Sequence, residues 1–168
     1  MTHHVSPVAR IIDYQPNHRD QFRALNLAWI TEYFEVEEPD RWQLDHPESH
    51  ILATGGHIFI AEADGEVVGT CALLREDDTV FTLAKMAVAP HARGRGLGRA
   101  LADAAIARAR ALGADRVELL SNTSLAPAIR LYRSLGFVEV PLPATDHVRA
   151  NIKMALTLTE EEISGDGG

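Results

Sequence analysis

The chain has 168 residues, of which 46% are hydrophobic and 24% are charged, with a formal net charge of −8 and one cysteine. These values are typical of one folded globular domain and exclude a disordered chain or a disulfide-bonded scaffold. The negative charge argues against nucleic acid as a partner, because phosphate binding needs a basic surface. No window reaches the ~18 apolar residues of a membrane span, and residues 1–10 lack the apolar core of a signal peptide. We expect a cytoplasmic protein without a membrane partner, one domain over residues 1–159 and a disordered tail over 160–168.

Charged residues are unevenly distributed along the chain. Seven acidic residues lie between Glu32 and Glu48, whereas arginines cluster between Arg93 and Arg116. The acidic segment suits a cationic ligand and the arginine-rich segment suits an anionic one. Both segments are also compatible with solvated helix faces. This alternative explains the arginines of residues 93–99 less well than it explains the acidic segment.

The first half of the chain reads as a strand, a helix and a three-stranded meander. We predict a strand over residues 9–14, a helix over 17–34, and short helices interrupted by Pro39 and Pro47. Strands over 57–63 and 67–75 flank Asp64 and Gly65, a strong hairpin signal, and a third strand covers 79–88. Cys71 lies within the second of these strands, where we expect a buried small side chain.

The second half alternates helices with strands. An apolar stripe predicts a helix over 97–112 that ends at Gly113 and is formed by Leu97, Leu101, Ala104, Ala105, Ala111 and Leu112. Strands over 116–120, 137–140 and 151–158 and a helix over 125–135 follow. Together the two halves predict an α/β fold (an α+β mixed sheet) with helices on both faces of the sheet.

A glycine-rich loop between the strand over 79–88 and the next helix predicts an anion site. Glycines at positions 94, 96 and 98 let backbone amides approach a ligand, and the helix N-terminus adds partial positive charge. The arginines at positions 93, 95 and 99 reinforce this charge. The spacing fits neither the dinucleotide-binding fingerprint, which needs Gly-x-Gly-x-x-Gly or Ala, nor a P-loop, which needs Gly-Lys followed by Ser or Thr.

Four segments in order resemble the GCN5-related N-acetyltransferase (GNAT) superfamily. They are the Arg-x-x-Gly-x-Gly pattern beginning at Arg93, the strand segment 83–88, Asn122, and the segment 128–137 with its Tyr-x-x-x-Gly-Phe element. The strong match covers residues 79–140. The resemblance implies a mixed, mostly antiparallel central sheet of about six or seven strands, acetyl-CoA as cosubstrate, and a homodimer.

The resemblance also implies how the cosubstrate binds. Backbone atoms of a short strand segment would hold the pantetheine arm, and loop amides would hold the pyrophosphate; the thioester carbonyl would meet an amide near Met86 or Ala87. The cofactor-binding residues implied in this way are Met86, Ala87, Val88, Arg93, Gly94, Arg95, Gly96, Leu97, Gly98, Arg99, Asn122 and Tyr132. Asn122 is also a candidate catalytic residue, since it would orient the pantetheine arm or a water; its second interpretation is a helix cap for residues 125 onward.

Acetyl transfer from a thioester to an amine needs a stabilised oxyanion and a proton for the leaving thiolate. Tyr132 is our candidate general acid, although Tyr132 also fits a helical apolar stripe that would place it in the core. The resemblance puts a glutamate base at the position that holds Thr82 here. An ordered water or a carboxylate of the first helices would replace this base; Glu32 and Glu35 are our candidates for the carboxylate, and they would also attract a cationic amine.

We therefore expect an N-acetyltransferase that acts by direct attack on a primary amine, most simply that of a small molecule. A peptide or protein amine is the alternative acceptor, and a catalytically silent acyl-CoA sensor is the alternative class. His46 and His50 are spaced like metal ligands, but Pro47 and the lack of a third ligand make a metal site improbable.

Overall fold

The computed structural model describes residues 9–143 and 149–158, within which seven strands form one sheet. The expected tail over 160–168 lies outside these ranges. The strands are β1 (Arg10–Asp13), β2 (His57–Ala63), β3 (Glu66–Arg75), β4 (Val80–Val88), β5 (Arg116–Ser121), β6 (Val138–Val140) and β7 (Ile152–Thr157). The helices are α1 (Arg19–Tyr33), α2 (Glu38–Asp45), α3 (Leu97–Ala111) and α4 (Ala126–Ser134). The α/β class, the strand count and the meander match the prediction.

The sheet has the order β1-β2-β3-β4-β5-β7-β6. Strands β1 to β4 form an antiparallel meander, β4 and β5 are parallel, and β7 pairs antiparallel with both β5 and β6. The predicted hairpin turn has left-handed backbone at Asp64 (φ 53°) and Gly65 (φ 77°), as a tight turn between twisted strands requires. The parallel pair is where the two halves of the fold meet.

Two apolar clusters cover the two faces of the sheet. Helices α1 and α2 pack on one face, where Phe22, Ile30 and Leu44 meet strand residues such as Ile60. Helices α3 and α4 pack on the other face, in a larger cluster that includes Tyr132 and Cys71. Burial raises the pKa of the Cys71 thiol, as expected for a core cysteine. None of the helices in the described ranges is long and apolar enough to cross a membrane.

The predicted apolar stripe of α3 was wrong at its C-terminal end. Leu112 is 46% exposed and Ala111 is also exposed, because the helix ends there and the chain turns at Gly113. The buried face of α3 instead consists of Leu97, Leu101, Ala102, Ala105, Ile106 and Ala109. The small alanine side chains of this face pack α3 against the sheet. The loop that precedes α3 connects it to the end of β4.

Candidate active site

Strand β4 contains a bulge just before its C-terminal end. Thr70 and Ala72 of β3 pair with Ala87 and Ala84 of β4, so β4 has one extra residue in this interval. Lys85 lies in the bulge with φ 54°, a left-handed conformation that costs a residue other than glycine roughly 1–3 kcal/mol. Such strain persists only where the surrounding structure enforces it, and it often marks functional sites.

The bulge coincides with a gap between the parallel strands. The pairing of β4 with β5 covers Val80–Thr82 and Arg116–Glu118. Beyond it, β4 continues to Val88 and β5 to Ser121, so the two strands diverge and leave backbone groups of the bulge unpaired on that side. Backbone groups exposed in this way can bind an extended ligand like an added strand. The resemblance had implied this role for Met86, Ala87 and Val88.

A cavity of about 640 Å³ occupies the gap and reaches both faces of the sheet. Leu125, Ala128 and Tyr132 line it on the α4 side, whereas Trp29 and Asp40 line it on the α1 and α2 side. This volume is ordinary for a small-molecule site. Because the cavity passes through the sheet, two ligands can approach each other from opposite faces at the bulge.

The glycine-rich loop lies at the N-terminus of α3, which begins after Gly96. Gly94 (φ 80°) and Gly96 (φ 78°) are both left-handed, and a Cβ atom at either position would point into open space. The first amides of α3 have no partner within the helix, as at every helix N-terminus. The loop therefore combines open amides with a positive helix end, the arrangement that favours phosphate.

The three arginines of this loop differ in their contacts. Arg93 donates to the carbonyl oxygen of Val88 (3.2 Å) and pairs with Glu32 (3.1 Å), so it ties the loop to β4 and α1. Arg99 donates to the hydroxyl of Ser134 (2.9 Å). Arg95 has no ion pair or hydrogen bond within the described residues. Arg95 is therefore the loop guanidinium most available to a ligand.

Tyr132 lies on α4 and is almost fully buried, yet it lines the cavity. Its ring packs edge-on against Phe137, with 5.9 Å between the ring centroids. Within the described ranges its hydroxyl group has no hydrogen-bond partner. Burial raises the pKa of Tyr132 to about 12, so the phenol stays protonated at neutral pH. The ring of Tyr132 therefore packs in the core, as its helical stripe indicated, and the residue also lines the cavity, whereas its role as general acid stays a prediction.

Asn122 is held by the fold on both sides of its amide. It accepts a hydrogen bond from the backbone N–H of Ser124 (2.9 Å) and donates to the carbonyl oxygen of Arg149 (2.7 Å). The residue that caps α4 is Leu125, so Asn122 stabilises the turn before the helix rather than the helix itself. Asn122 also lines the cavity, and its side chain fixes the position of Arg149 there.

Glu32 and Glu35 are not among the residues that line the cavity. Glu35 is exposed, and Glu32 is paired with Arg93, whose hydrogen bond lowers the pKa of Glu32. The carboxylates that do line the cavity are those of Asp40, Glu76 and Glu118. Thr82 donates to Glu76 (2.7 Å) and is paired in register with Glu118 on β5, so these two carboxylates flank Thr82.

A buried ion cluster completes the α2 side of the cavity. Asp40 accepts hydrogen bonds from Lys85 (2.7 Å), from both terminal nitrogens of Arg149 (2.7 Å each) and from the backbone N–H of Glu37 (3.0 Å). Burial alone would raise the pKa of Asp40, but Arg149 and Lys85 outweigh it and hold this pKa well below its usual range. The carboxylate is therefore ionised at every pH at which the fold is normally studied.

Sequence reasoning missed Asp40, Lys85 and Arg149 as site residues. Asp40 was counted within the acidic segment, Lys85 within a strand, and Arg149 lies in the turn before β7. The side chains meet only because the bulge turns Lys85 toward α2. A lysine inside an otherwise apolar strand was the one signal that could have drawn attention to this cluster.

Solved structures share this fold. An acetyltransferase of the GNAT family from Staphylococcus aureus Mu50 superposes with a TM-score of 0.80 at 24% identity, covering 90% of this chain and 99% of that protein. The acetyltransferase yncA from Salmonella typhimurium, solved with its cofactor acetyl-CoA, superposes with a TM-score of 0.71 at 24% identity, over 90% and 95% of the two chains. The fold is thus that of an acetyltransferase.

Sequence relatives agree with this class. The uncharacterised N-acetyltransferase YjgM of Escherichia coli (strain K12) is 36% identical over 110 residues, which are 62% of this chain and 66% of YjgM. A mycothiol acetyltransferase of Beutenbergia cavernae is 40% identical over 83 residues, 49% of this chain but only 28% of that protein. The model of the acetyltransferase (GNAT) family matches residues 23–137. The chain belongs to this family, and acetyl-CoA is the cosubstrate of its acetyltransferase domain.

Proposed function

We propose that the chain transfers the acetyl group of acetyl-CoA to a primary amine of a small molecule by direct attack. The observation that carries this proposal is the cavity through the gap between β4 and β5, which reaches the Tyr132 side and the α2 side of the sheet. A thioester on one side and an amine on the other can meet there without a covalent enzyme intermediate. The relative named mycothiol acetyltransferase supports a small-molecule acceptor.

In this proposal the cosubstrate is held mainly by backbone groups. The free edge of β4 at Met86 to Val88 binds the pantetheine arm, and the open amides between Gly94 and Arg99 bind the pyrophosphate. Arg95 adds positive charge at the same end. An amide near Met86 or Ala87 stabilises the oxyanion that forms when the amine attacks the carbonyl carbon.

Tyr132 supplies the proton that the departing sulfur needs. The amine nitrogen bonds to the carbonyl carbon, the C–S bond then breaks, and the thiolate takes the phenolic proton of Tyr132. Since burial raises the pKa of Tyr132 to about 12, the phenol carries its proton at neutral pH when the sulfur leaves. Because its hydroxyl has no hydrogen-bond partner among the described residues, Tyr132 can turn this group toward the sulfur.

The proton lost by the amine goes to a carboxylate that lines the cavity. Glu118 and Glu76 flank Thr82, the position at which the family resemblance implied a glutamate. Glu118 is paired with Lys153 (3.2 Å) and Arg116 (2.7 Å), whereas Glu76 forms no ion pair among the described residues, so Glu76 is the more available proton acceptor. Glu32 and Glu35, the sequence-based candidates, lie outside the cavity and are not needed for this step. The homodimer and the cytoplasmic location stay predictions.

The test is acetyl-CoA-dependent release of thiol in the presence of pooled small amines, compared between wild type and Tyr132→Phe. We expect release with at least one pool, and a fall in kcat of about 100-fold or more in the variant with unchanged affinity for acetyl-CoA. Tyr33→Phe is the matched control, because Tyr33 is 45% exposed and lies outside the cavity. Unchanged turnover in Tyr132→Phe would refute its role as the acid. Saturable acetyl-CoA binding without release from any pool would favour a peptide or protein amine, or a sensor.

A further inference from the structure

A buried lysine, Lys85, lines the α2 side of the cavity, and its ammonium group has unused hydrogen-bond donors among the described residues. The side chain of Lys85 is 9% exposed and donates one hydrogen bond, to Asp40. An ammonium group has three N–H donors, and within the described residues Lys85 has no other acceptor. Since Lys85 lines the cavity, its remaining donors are available to a ligand there.

Asp40 cannot satisfy Lys85 more fully, because other donors already occupy this carboxylate. Both terminal nitrogens of Arg149 and the backbone N–H of Glu37 bind its two oxygens. Arg149 also lies 3.6 Å from the carboxylate of Glu37, whereas among the described residues Lys85 forms an ion pair with Asp40 only and is attracted to Glu37 at longer range. An anionic group of a ligand would accept from the N–H donors of Lys85 that Asp40 does not satisfy.

The backbone directs Lys85 to this place. Its left-handed conformation in the bulge turns the side chain toward α2, and the next residue, Met86, is one of those proposed to meet the thioester. Adjacent Cα atoms are about 3.8 Å apart. Lys85 and Met86 line the same cavity, so a ligand group bound by Lys85 shares that cavity with the reacting amine.

Carboxylates also line the cavity beside Thr82. They belong to Glu76, which forms no ion pair among the described residues, and to Glu118, which pairs with the lining residue Lys153 (3.2 Å). A simple cationic amine would be attracted by these carboxylates but repelled by Lys85. An amine that also carries a carboxylate matches both signs.

We infer that the acceptor is an amino acid, meaning an amine with a carboxylate a few bonds away, and that Lys85 binds this carboxylate. This inference rests on the proposed acetyl transfer and narrows its substrate class. The alternative is that the ion cluster only joins α2, β4 and the turn before β7, with no role in substrate choice. If Lys85 binds the carboxylate, replacing Lys85 removes the enzyme's preference for an amino acid over its carboxamide. If the cluster is only structural, the replacement affects both substrates equally.

The experiment measures kcat/KM for acetylation of α-amino acids, β-alanine and 4-aminobutyrate, each compared with its carboxamide. We expect wild type to prefer at least one acid over its amide by about 10-fold to 100-fold, the range of a charged hydrogen bond. Lys85→Met should abolish most of this preference through a higher KM for the acid, and Lys85→Arg should retain part of it.

Asp40→Asn is the matched control, because it breaks the same ion pair but leaves the charge of Lys85 in place. It should keep the preference for the acid, with circular dichroism showing that each variant is folded under the assay conditions. Equal use of acids and amides by wild type would overturn the inference while acetyl transfer stands. Equal losses for acid and amide in both Lys85→Met and Asp40→Asn would also overturn it. Failure to acetylate any amine would instead remove the proposed function together with the inference.

Discussion

The two ends of the cavity are built in different ways. The cosubstrate end consists of a free strand edge and a glycine-rich loop, formed by one continuous segment between Met86 and Arg99. The acceptor end consists of side chains from separate segments: Asp40 is 45 residues from Lys85 and 109 residues from Arg149. A site made of local backbone leaves a contiguous sequence pattern, whereas a site made of distant side chains leaves none.

Because the two ends are built differently, they recognise different kinds of ligand. Backbone amides and a helix N-terminus bind phosphate whatever the neighbouring side chains are, so they suit a cosubstrate that a whole family shares. Charged side chains can be exchanged without changing the fold, so they suit an acceptor that differs between proteins. The cosubstrate could therefore be predicted from a family resemblance, and the acceptor could not.

The largest expected effect concerns the stability of the acceptor end. Asp40→Ala removes the only carboxylate paired with buried Lys85 among the described residues, and we expect the free energy of unfolding to fall by about 3–5 kcal/mol. Denaturant unfolding followed by circular dichroism measures this change. Asp45→Ala is the control, because Asp45 forms an exposed pair with Arg23 and its loss should change stability little. Similar losses in both variants would mean that the buried cluster does not stabilise this end of the cavity.

A smaller effect is expected at the cosubstrate end. Gly96→Ala places a side chain at φ 78° and should cost about 1–2 kcal/mol of stability. Its Cβ projects into open space beside the loop amides, so we also expect weaker acetyl-CoA binding by calorimetry. Gly113→Ala is closely matched, with φ 80° and open space at the other end of α3, and it should lose similar stability but keep its affinity. Equal affinities in the two variants would contradict binding at the loop.

The smallest effect concerns Thr70, whose buried hydroxyl has no hydrogen-bond partner within the described part of the chain. Thr70 pairs with Ala87 across the bulge, close to both ends of the cavity. Thr70→Val should raise the free energy of unfolding by about 1 kcal/mol, because valine has nearly the shape of threonine and lacks the unsatisfied hydroxyl group. Thermal unfolding measures this gain, and acetyl transfer should be unchanged. Reduced activity in Thr70→Val would show that this hydroxyl serves a ligand.

Particular elements show why the fold could be predicted and the acceptor end could not. Apolar periodicity and glycines located α3, the hairpin at Asp64 and Gly65, and the strands of the meander, because these signals are local. Periodicity failed at Leu112, where the helix ends and the side chain becomes exposed. The bulge at Lys85 leaves no local signal, because the pairing of β4 with both neighbouring strands creates it.

The most direct test that the two ends of the cavity bind different substrates is a two-substrate kinetic comparison of Gly96→Ala and Lys85→Met. It is run with acetyl-CoA and the best amino acid acceptor. We predict that Gly96→Ala raises KM for acetyl-CoA alone, whereas Lys85→Met raises KM for the acceptor alone. If both variants raised both KM values by similar factors, the two ends of the cavity would not act as separate binding sites, and the central claim would be contradicted.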